Sequence, residues 1–148
     1  MTTIKVPLDT AASHVLEECR MVLPGIQALF GFQLIAVFTD PFAERLSAGE
    51  QGLHFAAIVL IVVAIALVMA PVAIHRHTQL GTLHERFVGA AARLLLASMF
   101  PLALAICLEV YLVARIIFDD QAFSALVAAA LLLVFAALWL LLPRRYRS

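Results

Sequence analysis

The chain has 148 residues, of which 64% are hydrophobic and 14% are charged, and its mean hydropathy is +1.04. Soluble globular proteins have roughly 45–50% apolar and about 25% charged residues, so a water-soluble fold of this length could not bury this much apolar surface. The formal net charge of zero argues against the basic stripe of a nucleic-acid-binding protein. The composition therefore predicts an all-α membrane protein whose main partner is the lipid bilayer.

The N-terminal segment is more polar than the rest of the chain. Residues 1–8 are expected to form a tail, and Asp9 or Thr10 is a good N-cap for the first helix. Apolar and polar side chains then alternate at helical spacing as far as Arg20, which predicts an amphipathic N-terminal extension at the membrane interface. Three acidic side chains interrupt this segment, so we expect no cleavable signal peptide.

Four apolar segments follow, at about residues 20–38, 53–74, 94–118 and 122–142. Each has roughly the 20 residues that a helix needs to cross about 30 Å of hydrocarbon. The last two are joined only by Asp119-Asp120-Gln121, which predicts an antiparallel hairpin. We therefore predict a single membrane domain over residues 1–148, with four transmembrane helices.

The segment at residues 75–93 separates the second span from the third. Gly81 ends one element there, and Thr82-x-x-Glu85 has the spacing of a capping box, so the third helix is expected to begin near Thr82. A helix from this point through the third span would have about 35 residues and a length of about 50 Å.

The distribution of lysine and arginine predicts the orientation. These residues concentrate in the N-terminal segment, in the loop at residues 75–93 and in the C-terminal tail, whereas the other two loops contain Arg45 alone. Positively charged loops stay on the cytoplasmic side. Both termini and the loop at residues 75–93 are therefore expected to face the cytoplasm.

The first span contains polar and small residues that an ordinary membrane anchor lacks. At 100° per residue, seven residues of this span and its extension fall within an arc of roughly 80°: Asp9, Ser13, Glu17, Arg20, Pro24, Gln27 and Gly31. This face could line a passage for an ion or a small polar solute. Alternatively, Gly25, Ala28 and Gly31 let helices approach closely, and Gln27 is a structural hydrogen-bonding group.

Glu109 is the most costly residue in the chain, because it lies well inside the third span, where an unpaired charge is expensive by about 2.5–3.5 kcal/mol or more. Gln27, Gln33 or protonation of the carboxyl group could relieve this cost. Gln33 lies on roughly the opposite face of the first span from Gln27 and needs a partner on a second helix. Arg115 is too far round the helix to pair with Glu109 and is better placed for Asp119, four residues on.

Other chemistry has weaker support. His75, His77, His84 and Glu85 could supply metal ligands, but their spacing matches no known signature, and basic residues at this level fit a membrane surface. Spans one, three and four contain no histidine, which argues against a bis-histidine haem. Cys19 and Cys107 are far apart and are expected to be inert packing residues. We therefore expect no cofactor, no bound metal and no enzymatic activity.

Several short motifs carry a resemblance to a known family. They are Leu23-Pro24-Gly25 with Gln27 and Phe30, then Pro41-Phe42 and Arg45, then Ala70-Pro71 followed by His75-Arg76. Over about residues 15–95 the chain resembles an uncharacterised family of small bacterial four-span membrane proteins, a domain of unknown function. The resemblance implies a multi-pass protein of the bacterial inner membrane. It points to Pro24, Gly25 and Gln27, and to Pro71, His75 and Arg76 at the cytoplasmic boundary, but it supplies no reaction.

Two functions remain open on the sequence. Four spans leave little room for a passage inside one subunit, so a homo-oligomer is expected. The first hypothesis is a channel or transporter-like protein for an ion or small polar solute, which uses the face from Glu17 through Arg20, Pro24, Gly25 and Gln27 to Gly31, together with Glu109. The alternative is a non-catalytic accessory or scaffold subunit of a larger membrane complex.

Overall fold

A computed structural model describes residues 7–77 and 85–142, and within these ranges every regular element is a helix. The elements are α1 (Leu8–Ala36), α2 (Asp40–Arg45), α3 (Ala48–His77), α4 (Glu85–Phe118) and α5 (Gln121–Ala136), which continues as a five-residue π-helix at Ala137–Leu141. Four of the helices are long and apolar enough to cross a membrane. The predicted all-α fold with four spans is confirmed.

The core of the bundle lies between α1, α3 and α4. Helices α3 and α4 pack along each other, α1 packs on both, and α5 packs on α4. The central cluster consists of small and aliphatic buried residues from these three helices: Cys19, Ile26, Ala57, Ile61, Val68 and Ala105. In α5 the buried residue is Ser124. The fourth span is therefore attached to a three-helix core, and most of its apolar side chains face outward, as expected in lipid.

The N-terminal extension and the first span form one continuous helix. Helix α1 starts at Leu8 with Pro7 at the N-cap position, and it continues through Pro24. The expectation that Asp9 or Thr10 caps this helix is wrong, because both lie inside its first turn. Proline fits immediately before a helix, since its fixed φ suits the start and it lacks an N–H group. The Pro7 carbonyl accepts a hydrogen bond from the Ala11 N–H at 2.9 Å.

One end of the bundle is closed by the short helix α2, and we call it the α2 end. Here α1 and α4 finish and α3 and α5 begin. Ser47 and Glu50 form a reciprocal capping box at the start of α3: the Ser47 N–H donates to Glu50 Oε2 at 2.9 Å, and the Glu50 N–H donates to Ser47 Oγ at 3.3 Å. These bonds satisfy donors that the first turn of a helix leaves unpaired.

The connection between α4 and α5 is as short as predicted. Asp119 has a left-handed φ of 52°, and Asp120 caps α5 by accepting hydrogen bonds from the Ala122 and Phe123 N–H groups at 2.9 and 3.1 Å. The chain therefore reverses within two residues, and the predicted antiparallel hairpin is confirmed. Helix α4 has 34 residues from Glu85. The capping box predicted at Thr82 lies outside the described residues.

Candidate functional site

Gln33 of α1, His54 of α3 and Glu109 of α4 meet inside the bundle near the α2 end. Gln33 and His54 are each 3% exposed, and the Glu109 side chain is 16% exposed. At 1.5 Å per residue, His54 lies about 9 Å from the start of α3 and Glu109 about 14 Å from the end of α4. Three polar side chains from three helices therefore lie together within the membrane-spanning part of the bundle. We call them the Gln33–His54–Glu109 network.

The contacts in this network converge on a single carboxylate oxygen. Glu109 Oε1 lies 3.0 Å from His54 Nδ1, and it accepts a hydrogen bond from Gln33 Nε2 at 3.0 Å. The other ring nitrogen, His54 Nε2, lies 3.0 Å from the main-chain carbonyl oxygen of Gln33. Gln33 is in the last turn of α1. Its main-chain carbonyl oxygen, which has two lone pairs, is an acceptor within reach of His54.

The two acceptors around His54 constrain its protons. A neutral imidazole has one N–H, whereas His54 faces an oxygen acceptor with each nitrogen. Both contacts are satisfied when the ring is an imidazolium beside a carboxylate. They are equally satisfied when the Glu109 carboxyl group is protonated and donates to Nδ1, while the Nε2–H group donates to the Gln33 carbonyl. In either form the network holds one proton more than a neutral imidazole beside a carboxylate, and its net charge is zero.

One polar atom of the network has no partner. Gln33 Oε1 is buried and makes no hydrogen bond in the described part of the chain. The amide orientation explains this, because Nε2 and not Oε1 is the atom turned toward Glu109. A buried carbonyl oxygen without a donor costs about 1–3 kcal/mol. The network therefore has an unused oxygen acceptor beside its carboxylate.

Helix α2 covers the network at the α2 end. The Phe42 ring meets the His54 ring edge-on, with centroids 4.9 Å apart and an angle of 67° between the planes. Phe42 also belongs to a small buried cluster with Leu46 and with Leu112 of α4. An aromatic and aliphatic cover therefore stands between His54 and this end of the bundle.

Charged residues surround this cover. Arg115 Nε donates to Glu50 Oε1 at 2.6 Å, which joins α4 to α3, and Arg115 Nη1 lies 3.4 Å from Asp119 Oδ1. Arg45 of α2 donates to the Ile116 carbonyl at 2.9 Å. The predicted pairing of Arg115 with Asp119 is confirmed, but Asp119 is 87% exposed and the shorter contact is with Glu50. The two arginines therefore bind Glu50, Asp119 and the Ile116 carbonyl, and not His54 or Glu109.

The polar face predicted on α1 lies on the outside of the chain. Glu17, Arg20, Pro24, Gly25 and Gln27 are exposed, as is Ser13, and Gly31 is half-buried. Of the two glutamines considered as partners for Glu109, the structure places Gln33 beside it. A Cβ atom added at Gly25 or Gly31 would meet nothing within 4 Å. These glycines therefore do not serve close packing among the described helices of one chain.

At the opposite end of the bundle, the predicted boundary residues are spread along α3. Pro71 is buried, Arg76 is exposed, and the His75 ring is half-buried with its centroid 5.7 Å from that of Phe87. The side chains of His77, His84 and Glu85, the other members of the hypothetical metal site, lie outside the described residues. The part of the chain that is described contains no group of three or more metal-ligating side chains among its His, Cys, Asp and Glu residues.

His54 was not identified from the sequence as a partner of Glu109. The usable signal was a histidine at the start of an apolar span, between Leu53 and Phe55. An ionisable residue inside a span usually pairs with another one. Because His54 lies in the predicted second span and Glu109 in the predicted third, this rule makes them candidate partners, and the relative rotation of the helices then decides whether they meet.

Comparison with known proteins gives a family and no function. No curated protein and no solved structure matches the chain. A family model, described as a family of unknown function (DUF6328), matches residues 3–143, well beyond the residues that carry the resemblance noted in the sequence. The chain therefore belongs to the DUF6328 family of unknown function, and it has the helices of a small four-span membrane protein.

Proposed function

We propose that this protein is a small transporter-like membrane protein for an ion, that the ion is a proton, and that the Gln33–His54–Glu109 network binds it. The observation that supports the proposal is the pair of oxygen acceptors, each 3.0 Å from a His54 ring nitrogen. Both contacts are hydrogen bonds only when the network carries an extra proton. Histidine and carboxylate chains inside membrane spans are characteristic of proton relays.

The charge of the network makes proton release conditional. With its extra proton the network is neutral, and without it one negative charge remains within the span and a lone pair on the ring faces an oxygen. Both changes are costly in a dry environment. Release therefore needs water or a counter-ion at the site. The cover formed by Phe42 and Leu46 is the part of the α2 end that would have to move to admit either.

The test uses purified protein in lipid vesicles that contain a pH-sensitive dye. A pH gradient is imposed with sodium and potassium chloride equal on both sides, and valinomycin holds the membrane potential at zero. We expect wild-type vesicles to dissipate the gradient faster than protein-free vesicles. We expect Glu109→Gln to return the rate to that of protein-free vesicles, because the amide cannot take up the proton.

Two further variants test whether the change in rate is specific to Glu109. Glu44→Gln removes an exposed carboxylate from α2 and should retain the wild-type rate. Gln27→Leu separates the two faces of α1: a lost rate with Gln27→Leu and a retained rate with Glu109→Gln would move the pathway to the outward polar face. Circular dichroism and gel filtration in detergent establish that each variant is folded. A wild-type rate equal to that of protein-free vesicles would refute the proposal.

A second candidate is the accessory or scaffold subunit, with a contact made by the outward face of α1. The observation that favours it is Gln27, an exposed amide within a span that makes no hydrogen bond among the described residues. An amide in hydrocarbon gains from a partner on another helix. Under this proposal, Gln27→Leu weakens association between copies or with another subunit, as measured by light scattering and by cross-linking in native membranes. Proton movement in the vesicles is then absent from every variant and from wild type.

A further inference from the structure

We infer that the Gln33–His54–Glu109 network exchanges its proton for a hard monovalent cation, with Na⁺ as the probe. This inference rests on the proposed function, because it names what replaces the proton. Its starting point is Gln33 Oε1, an amide oxygen that is buried and unpaired beside a carboxylate. Nothing in the proton-loaded network uses this atom, whereas a cation would.

The oxygens of the network are close enough to share one ion. Gln33 Oε1 lies about 2.2 Å from Nε2 within the amide group, and Nε2 lies 3.0 Å from Glu109 Oε1. The two oxygens are therefore no more than about 5 Å apart, which an ion with oxygen contacts of about 2.3–2.6 Å can bridge. Na⁺ has a radius close to that of Ca²⁺. A half-turn of the amide about its last side-chain bond would bring Oε1 still nearer to the carboxylate.

The charge of the network selects a monovalent ion. Without its extra proton the network has one negative charge, from Glu109, and the neighbouring charged groups Glu50, Arg115, Asp119 and Arg45 already have partners. One Na⁺ restores neutrality, whereas a divalent ion would leave an excess positive charge within the span. The exchange is balanced: the imidazolium–carboxylate pair takes up Na⁺ and releases H⁺, leaving a neutral imidazole, a carboxylate and the bound cation.

His54 has suitable partners in both the proton-loaded and the cation-loaded network. After exchange, His54 keeps its proton on Nε2 and still donates to the Gln33 carbonyl, which is 3.0 Å away. The lone pair left on Nδ1 then faces a cation instead of a carboxylate oxygen. Oxygen ligands from an amide and a carboxylate suit hard cations rather than soft transition metals. The class of ligand is therefore an alkali-metal ion.

The first experiment needs no variant. Wild-type protein in detergent is placed in a weakly buffered solution with a pH indicator, and NaCl is added against choline chloride at equal ionic strength. We expect the release of about one proton per chain, because cation binding displaces protons from its ligands. Parallel additions of LiCl and KCl give the order of preference. No release with any of the three salts would overturn the inference.

The second experiment separates this inference from the proposed function. Vesicles with equal pH on both sides receive an inward Na⁺ gradient, and the internal dye is expected to report alkalinisation as Na⁺ enters and H⁺ leaves. Gln33→Met removes both Oε1 and the Nε2 donor to Glu109 and keeps an unbranched side chain. It should weaken the response to Na⁺, which loses a ligand, more than it weakens the dissipation of a pH gradient, which keeps His54 and Glu109. If a pH gradient is dissipated through Glu109 but no alkali gradient moves protons, proton transport stands and cation exchange is refuted. If neither gradient has an effect, both are refuted.

Discussion

Two glutamines of α1 show how strongly the surroundings of a side chain determine its hydrogen bonding. Gln33 is 3% exposed, donates to Glu109 and offers its carbonyl to His54, whereas Gln27, six residues earlier, is exposed and without a hydrogen bond among the described residues. The longer polar stripe belongs to Gln27 and faces outward. Gln33, which stood alone on its face of the helix, has its partners on other helices, whereas Gln27 in the continuous stripe has no hydrogen bond among the described residues.

The largest difference between these two faces is expected from removing Glu109. Glu109→Leu leaves His54 Nδ1 and Gln33 Nε2 without their acceptor, and breaking a buried charged pair in this way costs about 3–5 kcal/mol of unfolding free energy. Reversible unfolding in detergent measures the loss. The control is Gln27→Leu, which should show no loss because Gln27 makes no hydrogen bond among the described residues. Equal effects of the two variants would contradict the comparison.

A somewhat smaller effect is expected at the cover of the network. Phe42→Ala removes a buried ring that contacts His54, and loss of a buried phenylalanine ring costs about 3 kcal/mol. It should also admit water to the first turns of α3, which hydrogen–deuterium exchange measures peptide by peptide. Phe38→Ala is the matched control, because Phe38 is 87% exposed. Faster exchange in both variants alike would show that Phe42 does not shield the network.

The charged residues around the cover allow a sharper comparison of two contacts of one arginine. Arg115→Leu removes the 2.6 Å contact with Glu50 and the tie between α4 and α3, so the melting temperature in detergent should fall. Asp119→Asn removes only a 3.4 Å contact of an exposed side chain and should leave the melting temperature nearly unchanged, since exposed pairs contribute little. Asparagine also tolerates the left-handed φ at this position. A larger fall for Asp119→Asn would reverse the assignment.

The smallest effect concerns the outward face. Gly25→Ala should raise the stability of the single chain by up to about 1 kcal/mol, because alanine favours a helix and an added Cβ meets nothing within 4 Å. If this face contacts another protein, the same substitution should weaken association in light-scattering measurements. A loss of stability under conditions where the protein is monomeric would mean that Gly25 is needed inside the chain after all.

The four-helix fold was predictable because each membrane span can be recognised from its own residues alone. Apolar length located the four membrane helices, and the two-residue link forced the last two into a hairpin. Gln33 and Glu109 were recognisable as single polar residues in apolar surroundings. Their assembly with His54 was not predicted, because it depends on how α1, α3 and α4 rotate against one another, and no helix encodes its neighbour's rotation.

The two capping-box patterns show that a local signal was overlooked at the start of α3. Ser47-x-x-Glu50 has the same spacing as Thr82-x-x-Glu85, and it forms a capping box in the structure, but only the pattern at Thr82 was predicted to do so. The pattern was available. What the pattern alone could not give is the second role of Glu50, whose other oxygen binds Arg115, 65 residues away.

The attachment of α5 has a consequence for the order of assembly during synthesis. Among the described residues, the contacts of the Gln33–His54–Glu109 network and its cover lie on α1 to α4, and α5 adds Ser124 as its buried residue. Helix α5, which leaves the ribosome after α1 to α4, is therefore not required for the network to close. A nascent chain that ends within α5 already contains every residue of the proposed site, so the site can form before translation is complete.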